Sequence, residues 1–385
     1  MRWVALMPLR GGSKSIPLKN LQLIAGRPLY AWSLAAALEA NYFDRIYVAS
    51  DAAAIRADVS ARFGDRVEVI DRAPENASDT ASSESVMLEF AAHTNFDVMS
   101  LIQATSPLTT AADFRAARAR FEAESCDSLY TGVVTKRFFW DSAGQPLNYD
   151  PAARPRRQDF AGVIMENGAF YFTRADLLAR TGVRLGGRIG AHVMAPECAA
   201  ELDEPSDWQE IESLLRRRLA ASFDLHVLIV DVDGTLTDGG MYYDATGEAM
   251  KKFQTRDAKG MLMLRDSGVR VCVVTAESSK VVAARMRKLG ITDYFPGISD
   301  KLTWLHDHTR EWGIDLAQVG YIGDDLNDLP GLQVAGMSFC PADAVPEVRA
   351  AVRYICAAQG GDGAVREVCD LIRAGRKAAA PSAPH

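Results

Sequence analysis

The 385-residue sequence is poor in cysteine, and none of its cysteines stand at CxxC spacing. The six (126, 198, 272, 340, 356 and 369) are scattered. That excludes a zinc site of paired thiolates and a disulfide framework, and it suits a reducing cytoplasm. No run of about eighteen apolar residues occurs, so no membrane-spanning helix is expected. A basic excess is missing too: 43 Lys and Arg against 50 Asp and Glu leave a net charge of −7, which disfavours nucleic acid as a partner. The first residues lack a signal-peptide pattern, because Arg2 leads into a strand-like run and then a basic loop. With 48% hydrophobic and 24% charged residues, the expectation is an ordinary soluble protein of two domains with no membrane partner.

What is present is organised around LRGGSKSIPLKN at residues 9–20. WVALMP (3–8) before it reads as a buried strand, and PLYAWSLAAALEA (28–40) after it as a helix with Pro28 at its first position. A strand, a glycine-rich loop and a helix form a phosphate site at the carboxyl edge of an α/β sheet. Arg10, Lys14 and Lys19 supply positive charge, and the glycines allow close backbone approach. The spacing fits neither G-x-G-x-x-G nor Walker A, so the loop is either a different phosphate cradle or a solvated basic connection.

Strand-like and helix-like segments alternate onward: a strand at 45–50 ending at Asp51, a helix over 52–62, a short strand at 67–70, and a helix capped by Ser82 or Ser83. A further strand runs through DVMSLIQATSP (97–107). This alternation predicts a mainly parallel, doubly wound sheet with its sites at strand ends. Residues 136–159 have no clear period, as binding loops often do not, and RPRRQD (154–159) in that loop is either solvated or nucleic-acid-directed charge or an anion clamp. ENGAFYFT (166–173) reads as a strand with Asn167 and Gly168 at its entrance. In ELDEPSDW (201–208), Glu201 and Asp203 flank Leu202 and could face one magnesium ion, while Asp207 could cap the next helix.

Taken together, LRGGSKSIPLKN, the Ser-Asp at 50–51, IQATSP (102–107), RPRRQD, ENGAFYF and the acidic cluster resemble the CMP-sialic acid synthetases, or N-acylneuraminate cytidylyltransferases. Leu9, Ser15 and Glu201 depart from that family's usual residues. The resemblance implies transfer of CMP from CTP to a nine-carbon α-keto sugar acid with release of pyrophosphate. It implies CTP contacts from Arg10, Gly11, Gly12, Ser13, Lys14, Lys19, Asn20 and Gln103, with Arg10 and Lys19 also acting in catalysis. The sugar acid would lie against Gln103, Arg157, Gln158 and Asn167, and magnesium against Asp203 and Glu201.

After a charged helix end and short linker at 216–224 the pattern restarts. LHVLIVDVDGTLTDGG (225–240) ends an apolar run in Asp-x-Asp, VRVCVVT (269–275) ends in Thr275, SDKL (299–302) places Lys301 at a helix start, and QVGYIGDDLND (318–328) ends in acids. This set resembles haloacid dehalogenase-type phosphatases. It implies Asp231 as nucleophile, Asp233 as general acid and base, and a second magnesium on Asp231, the Asp233 carbonyl and Asp324, supported by Asp325 and Asp328. Thr275 and Lys301 would neutralise the phosphoryl group. No large cap insertion separates these motifs. With FQTRDAKGM (253–261) and GGDGAVREVCDLI (360–372), whose tail would reach an active site, they resemble the capless Kdo-8-phosphate phosphatases and their nonulosonate-9-phosphate relatives, which are tetramers. Glu277 is either a substrate-selecting residue of the nine-carbon branch or an exposed loop acid. His306 and His308 read as surface residues.

The expectation is a cytidylyltransferase domain (1–218), a capless phosphatase domain (225–373) and a disordered tail (374–385). Its substrates would be CTP and a nonulosonic acid or its 9-phosphate, and it would assemble as a homotetramer through the second domain. The alternative keeps the cytidylyltransferase, changes the sugar to deaminoneuraminate, legionaminate, pseudaminate or Kdo, and makes the second domain mainly a tetramerisation module.

Overall fold

The computed structural model describes residues 1–12, 16–77, 81–245 and 247–379. The chain divides into two compact units, Met1–Gln22 with Pro28–Ile211, and Leu23–Arg27 with Glu212–His385. Among the described residues no helix is long and apolar enough to cross a membrane.

In chain order the strands up to residue 193 are β1 (Trp3–Leu9), β2 (Leu23–Ile24), β3 (Arg27–Pro28), β4 (Arg45–Ser50), β5 (Glu68–Asp71), β6 (Val98–Ile102), β7 (Ser128–Thr135), β8 (Val163–Arg174) and β9 (Ile189–Val193). Seven of them form one sheet in the order β5-β4-β1-β6-β8-β7-β9. β1 is an interior strand, and nearly every residue from Trp3 to Leu9 is buried, the mark of a parallel strand covered on both faces. It pairs in parallel with β4 and β6, whereas β8 runs antiparallel to both β6 and β7. The sheet is therefore mixed, with its parallel part ending at the loops after β1, β4, β5 and β6. Val4, Leu6, Tyr47, Met87, Phe90 and Leu101 pack in one of its core clusters.

Local departures from the sequence reading have simple causes. Pro28 has φ −53° and ψ 141°, so it precedes the helix Leu29–Ala40 rather than opening it. Ser82 caps the helix Ser83–His93 by accepting the Ser85 N–H at 3.1 Å. β8 begins at Val163, so Asn167 and Gly168 lie inside it; the register shifts opposite, between Tyr130 and Gly132, where Gly168 adopts φ +62°.

The second unit carries β10 (Val227–Val230), β11 (Tyr242–Asp244), β12 (Gly247–Met250), β13 (Arg270–Val274), β14 (Tyr294–Phe295), β15 (Val319–Ile322), β16 (Met337–Cys340) and β17 (Tyr354–Ile355). Six form a parallel sheet in the order β14-β13-β10-β15-β16-β17, and β11 and β12 make an antiparallel hairpin. Val227, Ile229, Cys272, Val274, Val319 and Tyr321 fill its core. The helix Ala364–Ala379 overturns the tail expected from 374: Arg376 donates to the Leu225 carbonyl at 3.1 Å, and Gly375 packs so closely on Ala220 that a Cβ would lie 2.1 Å from its oxygen. Ala, Arg and Lys favour helix once such contacts anchor it. Residues 380–385 lie outside the described residues.

Candidate active sites

In the first unit the loops after β1 and β6 and the segment 201–204 surround an open cavity of about 760 Å³, lined by Arg10, Lys19, Asn20, Gln103, Glu201 and Asp203 among others. Residues far apart in sequence meet here. Lys19 Nζ donates to the Leu202 carbonyl at 2.7 Å and lies 3.9 Å from Asp203 Oδ1, so the basic loop and the acidic cluster are neighbours. Burial holds the Lys19 ammonium below its usual range, against the pull of Asp203. Asn20 steadies the loop by donating to the Arg10 carbonyl at 3.2 Å.

Glu201 is half-buried, and its carboxyl is pushed up to about 7 by that burial and then by Asp203 and Glu166. Two like charges in a poorly hydrated corner favour a cation or a proton between them. Gly168 faces Glu201: a Cβ there would lie 3.1 Å from Oε1, and its positive φ suits glycine. Asp207 turns backward, accepting from the N–H groups of Asp203 at 3.0 Å and Glu204 at 2.8 Å, so it fixes the acidic turn that precedes its helix.

Other expected residues sit elsewhere. Gly11 donates its N–H to Asp51 Oδ1 at 2.9 Å, which takes that amide out of a phosphate cradle, and Gly12 is exposed. Asn167 is buried beneath the site, with Nδ2 donating to the Cys198 carbonyl at 2.8 Å. Its amide holds framework together instead of lining the cavity. Arg157 and Gln158 are exposed on the 136–160 loop and do not line the cavity. That loop is organised by an aromatic cluster of Phe138, Tyr149 and Phe160, with the Arg154 guanidinium 4.7 Å from the Phe138 ring centre. Ser13, Lys14 and Ser15 lie outside the described residues.

The cavity also contains residues that the sequence reading missed. Arg72, just beyond β5, lines it with Nε buried and, among the described residues, without a hydrogen-bond partner. Tyr171 on β8 donates to Glu166 Oε1 at 2.5 Å, and both line the wall. Arg72 follows a strand end, where sites were expected, but its segment read as a polar turn.

The second unit gathers its acids at the ends of β10 and β15. Carboxylate oxygens of Asp231, Asp324 and Asp328 all lie within 4.8 Å of one another. Lys301 Nζ bridges Asp231 Oδ1 at 2.5 Å and Asp328 Oδ1 at 2.6 Å, entirely within the protein. Asp328 also accepts from the Tyr321 hydroxyl at 2.8 Å and from the Asp324 N–H at 3.1 Å. Burial, then Asp328, pushes the Asp231 carboxyl well up, with Lys301 opposing. Burial likewise raises Asp324 to about 7, although Thr235 Oγ1 donates to it at 2.9 Å. A crowded carboxylate trio of this kind has the oxygen donors a hard divalent cation takes.

The turn after Asp231 is tight. Gly234 has φ +85°, and a Cβ there would lie 2.0 Å from Asp324 Oδ2. Gly360 approaches closer still, its position for a Cβ lying 1.8 Å from the Gly234 carbonyl oxygen, and Gly361 donates to the Thr235 carbonyl at 3.0 Å. The late glycine segment thus grips the turn after Asp231. Asp233 is paired at 2.5 Å with Lys251, a residue the sequence reading passed over.

Thr275 is buried beyond β13, its Oγ1 accepting the Glu277 N–H at 3.1 Å. The Glu277 side chain is exposed. Asp325 is exposed and bonds its Oδ1 to the Leu326 N–H at 2.7 Å, so Asp328 alone of the two supports the acidic cluster. His306 is exposed, but His308 stacks on Trp304 with ring centres 4.3 Å apart, so it is a packing residue rather than a surface one.

Comparison with known proteins finds relatives for both units. A family model described as Cytidylyltransferase matches residues 4–202, and one described as haloacid dehalogenase-like hydrolase matches residues 291–368. The chain is 34% identical over 381 residues to N-acylneuraminate cytidylyltransferase A of Danio rerio, covering 96% of this chain and 88% of that protein. It is 42% identical over 149 residues to the 3-deoxy-D-manno-octulosonate 8-phosphate phosphatase KdsC of Haemophilus influenzae, covering 39% of this chain and 83% of that one. A crystal structure of the corresponding Moraxella catarrhalis phosphatase with magnesium, phosphate and KDO matches with 37% identity and a TM-score of 0.40, covering 42% of this chain and 93% of that one.

Proposed function

Because the chain belongs to the N-acylneuraminate cytidylyltransferase family, and its C-terminal portion to the KdsC-like phosphatases of the haloacid dehalogenase class, we propose that it is a bifunctional enzyme acting twice on one sugar acid. The second unit hydrolyses a nonulosonate 9-phosphate. The first transfers CMP from CTP to the free N-acylneuraminate-type acid and releases pyrophosphate.

For CMP transfer, the supporting observation is the meeting of Lys19 with Asp203 across one cavity that also holds Arg10 and Gln103. The sugar hydroxyl attacks the α-phosphorus while the bond to pyrophosphate breaks in line. The transferred group needs alignment and charge neutralisation more than covalent help. Arg10 and Lys19 take the triphosphate charge. Gln103, Glu166 and Tyr171 line the rest of the cavity, where the sugar acid would lie. Glu201 and Asp203 would hold a magnesium ion, which when bound neutralises phosphate oxygens.

For hydrolysis, the supporting observation is the Lys301 bridge between Asp231 and Asp328 beside Asp324. Asp231 attacks phosphorus to form an aspartyl-phosphate as the sugar oxygen leaves, and Asp233 protonates that oxygen and then takes a proton from the attacking water. Asp231, Asp324 and the Asp233 carbonyl would hold a second magnesium, which when bound offsets charge on the phosphoryl oxygens. Lys301 offsets the negative charge of Asp231 and Asp328, and Thr275 and Glu277 border the phosphate and the sugar.

A second role for the C-terminal unit is assembly as a homotetramer. It is favoured by the hairpin of β11 and β12, where Tyr242, Tyr243 and Met250 are 55%, 66% and 59% exposed. Full-length Tyr243→Glu with Met250→Lys should then run at a smaller size than the parent chain, and an unchanged size would sink the assembly role. The six free, buried cysteines favour a reducing cytoplasm.

The enzymatic reading is tested with purified full-length protein. CTP, magnesium and N-acetylneuraminate should yield pyrophosphate, and failure with this and related α-keto sugar acids removes the first activity. Asp231→Asn should stop phosphate release from nonulosonate 9-phosphate and leave CMP transfer in place; loss of both would point to a structural role for that residue.

A further inference from the structure

Lys251 and Asp233 form an ion pair at the mouth of the hairpin. Lys251 follows β12 directly, and its side chain has no solvent exposure. Its Nζ lies 2.5 Å from Asp233 Oδ1. The other carboxylate oxygen, Asp233 Oδ2, is buried and has no hydrogen-bond partner among the described residues. The base of the hairpin is closed by a bridge between Thr237 and Phe253, and Glu248 on β12 accepts from the Ser279 hydroxyl at 2.8 Å.

A buried ammonium on one oxygen and a bare second oxygen is an asymmetric arrangement. A carboxylate has two equivalent faces and a free torsion about its last bond. Engaging Oδ1 removes that freedom and points Oδ2 at one place. A buried polar atom without a partner is uncommon and calls for an explanation, a catalytic role among them. Resting on the reading of Asp233 as general acid, we infer that Lys251 is a positioning residue that clamps Oδ1 so that Oδ2 delivers its proton to the leaving sugar oxygen.

The atoms balance. The bond between phosphorus and the sugar oxygen breaks as the bond from Asp231 to phosphorus forms. The proton on Asp233 Oδ2 passes to the departing oxygen, which leaves as an alcohol. Asp233 remains as a carboxylate beside the Lys251 ammonium. Water then attacks the aspartyl-phosphate, gives its proton to Oδ2 and restores both acids. The ammonium, on a side chain with no solvent exposure, offsets the charge that appears on Asp233 halfway through.

Such a role acts on poor leaving groups. A sugar alkoxide needs its proton during the step, whereas p-nitrophenolate leaves almost unaided. The experiment measures kcat and KM of the full-length protein for nonulosonate 9-phosphate and p-nitrophenyl phosphate with magnesium. Asp233→Asn is the reference, and Lys251→Met, Lys251→Gln and Lys251→Arg are the tests. General acid catalysis is worth about a hundredfold or more, so positioning should account for about tenfold of it. The expected result is a fall of about tenfold or more in the kcat ratio of alkyl to aryl phosphate for Met and Gln, with the KM values little moved and partial recovery in Arg. An equal fall on both substrates, or none, overturns the inference and makes Lys251 a packing residue. If Asp233→Asn itself treats both substrates alike, the general-acid reading fails and takes this inference with it. The Gln variant retains polarity in the buried position should Met fail to fold.

Discussion

Lys301 Nζ lies 2.5 Å from Asp231 Oδ1, with 1% of the lysine side chain and 6% of the aspartate exposed. The same ammonium holds Asp328, whose side chain is wholly buried. Burial pushes the Asp231 carboxyl toward its neutral form, and the ammonium opposes that.

Lys301→Ala should therefore do two things at once. Removing one partner of a buried pair destabilises by about 3–5 kcal/mol. Phosphate release should also vanish, since Asp231 would take up a proton and lose its nucleophilic form. Calorimetry and a phosphate assay check both. A variant that keeps its Tm while losing activity would mean that the bridge matters only to chemistry.

Lys19→Met tests the first site. Lys19 touches the cavity from a half-buried position and contacts the Leu202 carbonyl. Loss of one preorganised cation facing developing phosphate charge should lower kcat/KM for CTP by about a hundredfold or more. Pyrophosphate release reports it, and phosphate release by the second unit serves as the internal reference. A CTP turnover equal to the parent would remove Lys19 from the site.

The alternation of strand and helix was legible because each parallel strand is an apolar run, as in Trp3–Leu9 and Val227–Val230, and its polar residues follow at the end. Asp231 and the acids after β15 could be placed at an edge by that rule. Asn167 could not. Its role depends on a register shift opposite Gly132 and on the distant Cys198 carbonyl, and neither has a local signature. Lys251 escaped for a related reason: only the return of the hairpin brings it to Asp233, and a lysine beside another lysine reads as solvated charge. Arg157 and Gln158 were named by motif, yet the loop that carries them is ordered by its own aromatic cluster and leaves them exposed.

Gly360→Ala examines the grip on the nucleophile turn. A methyl group there would meet the Gly234 carbonyl oxygen at 1.8 Å, and backbone cannot yield as a flexible side chain does. The expected outcome is a loss of about 1–3 kcal/mol in stability. A displacement of the turn by about an ångström should lower phosphate release by around a hundredfold. Wild-type phosphatase kinetics in this variant would show that the glycine segment does not set the geometry of the turn.

Asp113 gives a pH prediction with a definite sign. It caps the helix Ala111–Ala123 reciprocally with Thr110, accepting the Thr110 N–H at 3.0 Å while its own N–H donates to Thr110 Oγ1 at 3.2 Å. Its other oxygen lies 3.3 Å from His192 Nε2. Burial alone would raise the carboxyl, but the bonds from His192 and Thr110 outweigh it and hold it below the usual 3.8. A carboxyl lower in the folded state than in the unfolded one adds stability above the unfolded value and loses it as pH falls through the folded value. The contribution is thus complete at neutral pH and fades below the ordinary aspartate range. Asp113→Asn keeps the shape but not the charge, so its Tm should fall short of the parent by an amount that is constant down to about pH 5 and closes toward about pH 3. Parallel melting curves of the two proteins between those limits would decide it: a gap that stays the same in acid would mean that the cap acts through shape and not through the ionised carboxylate.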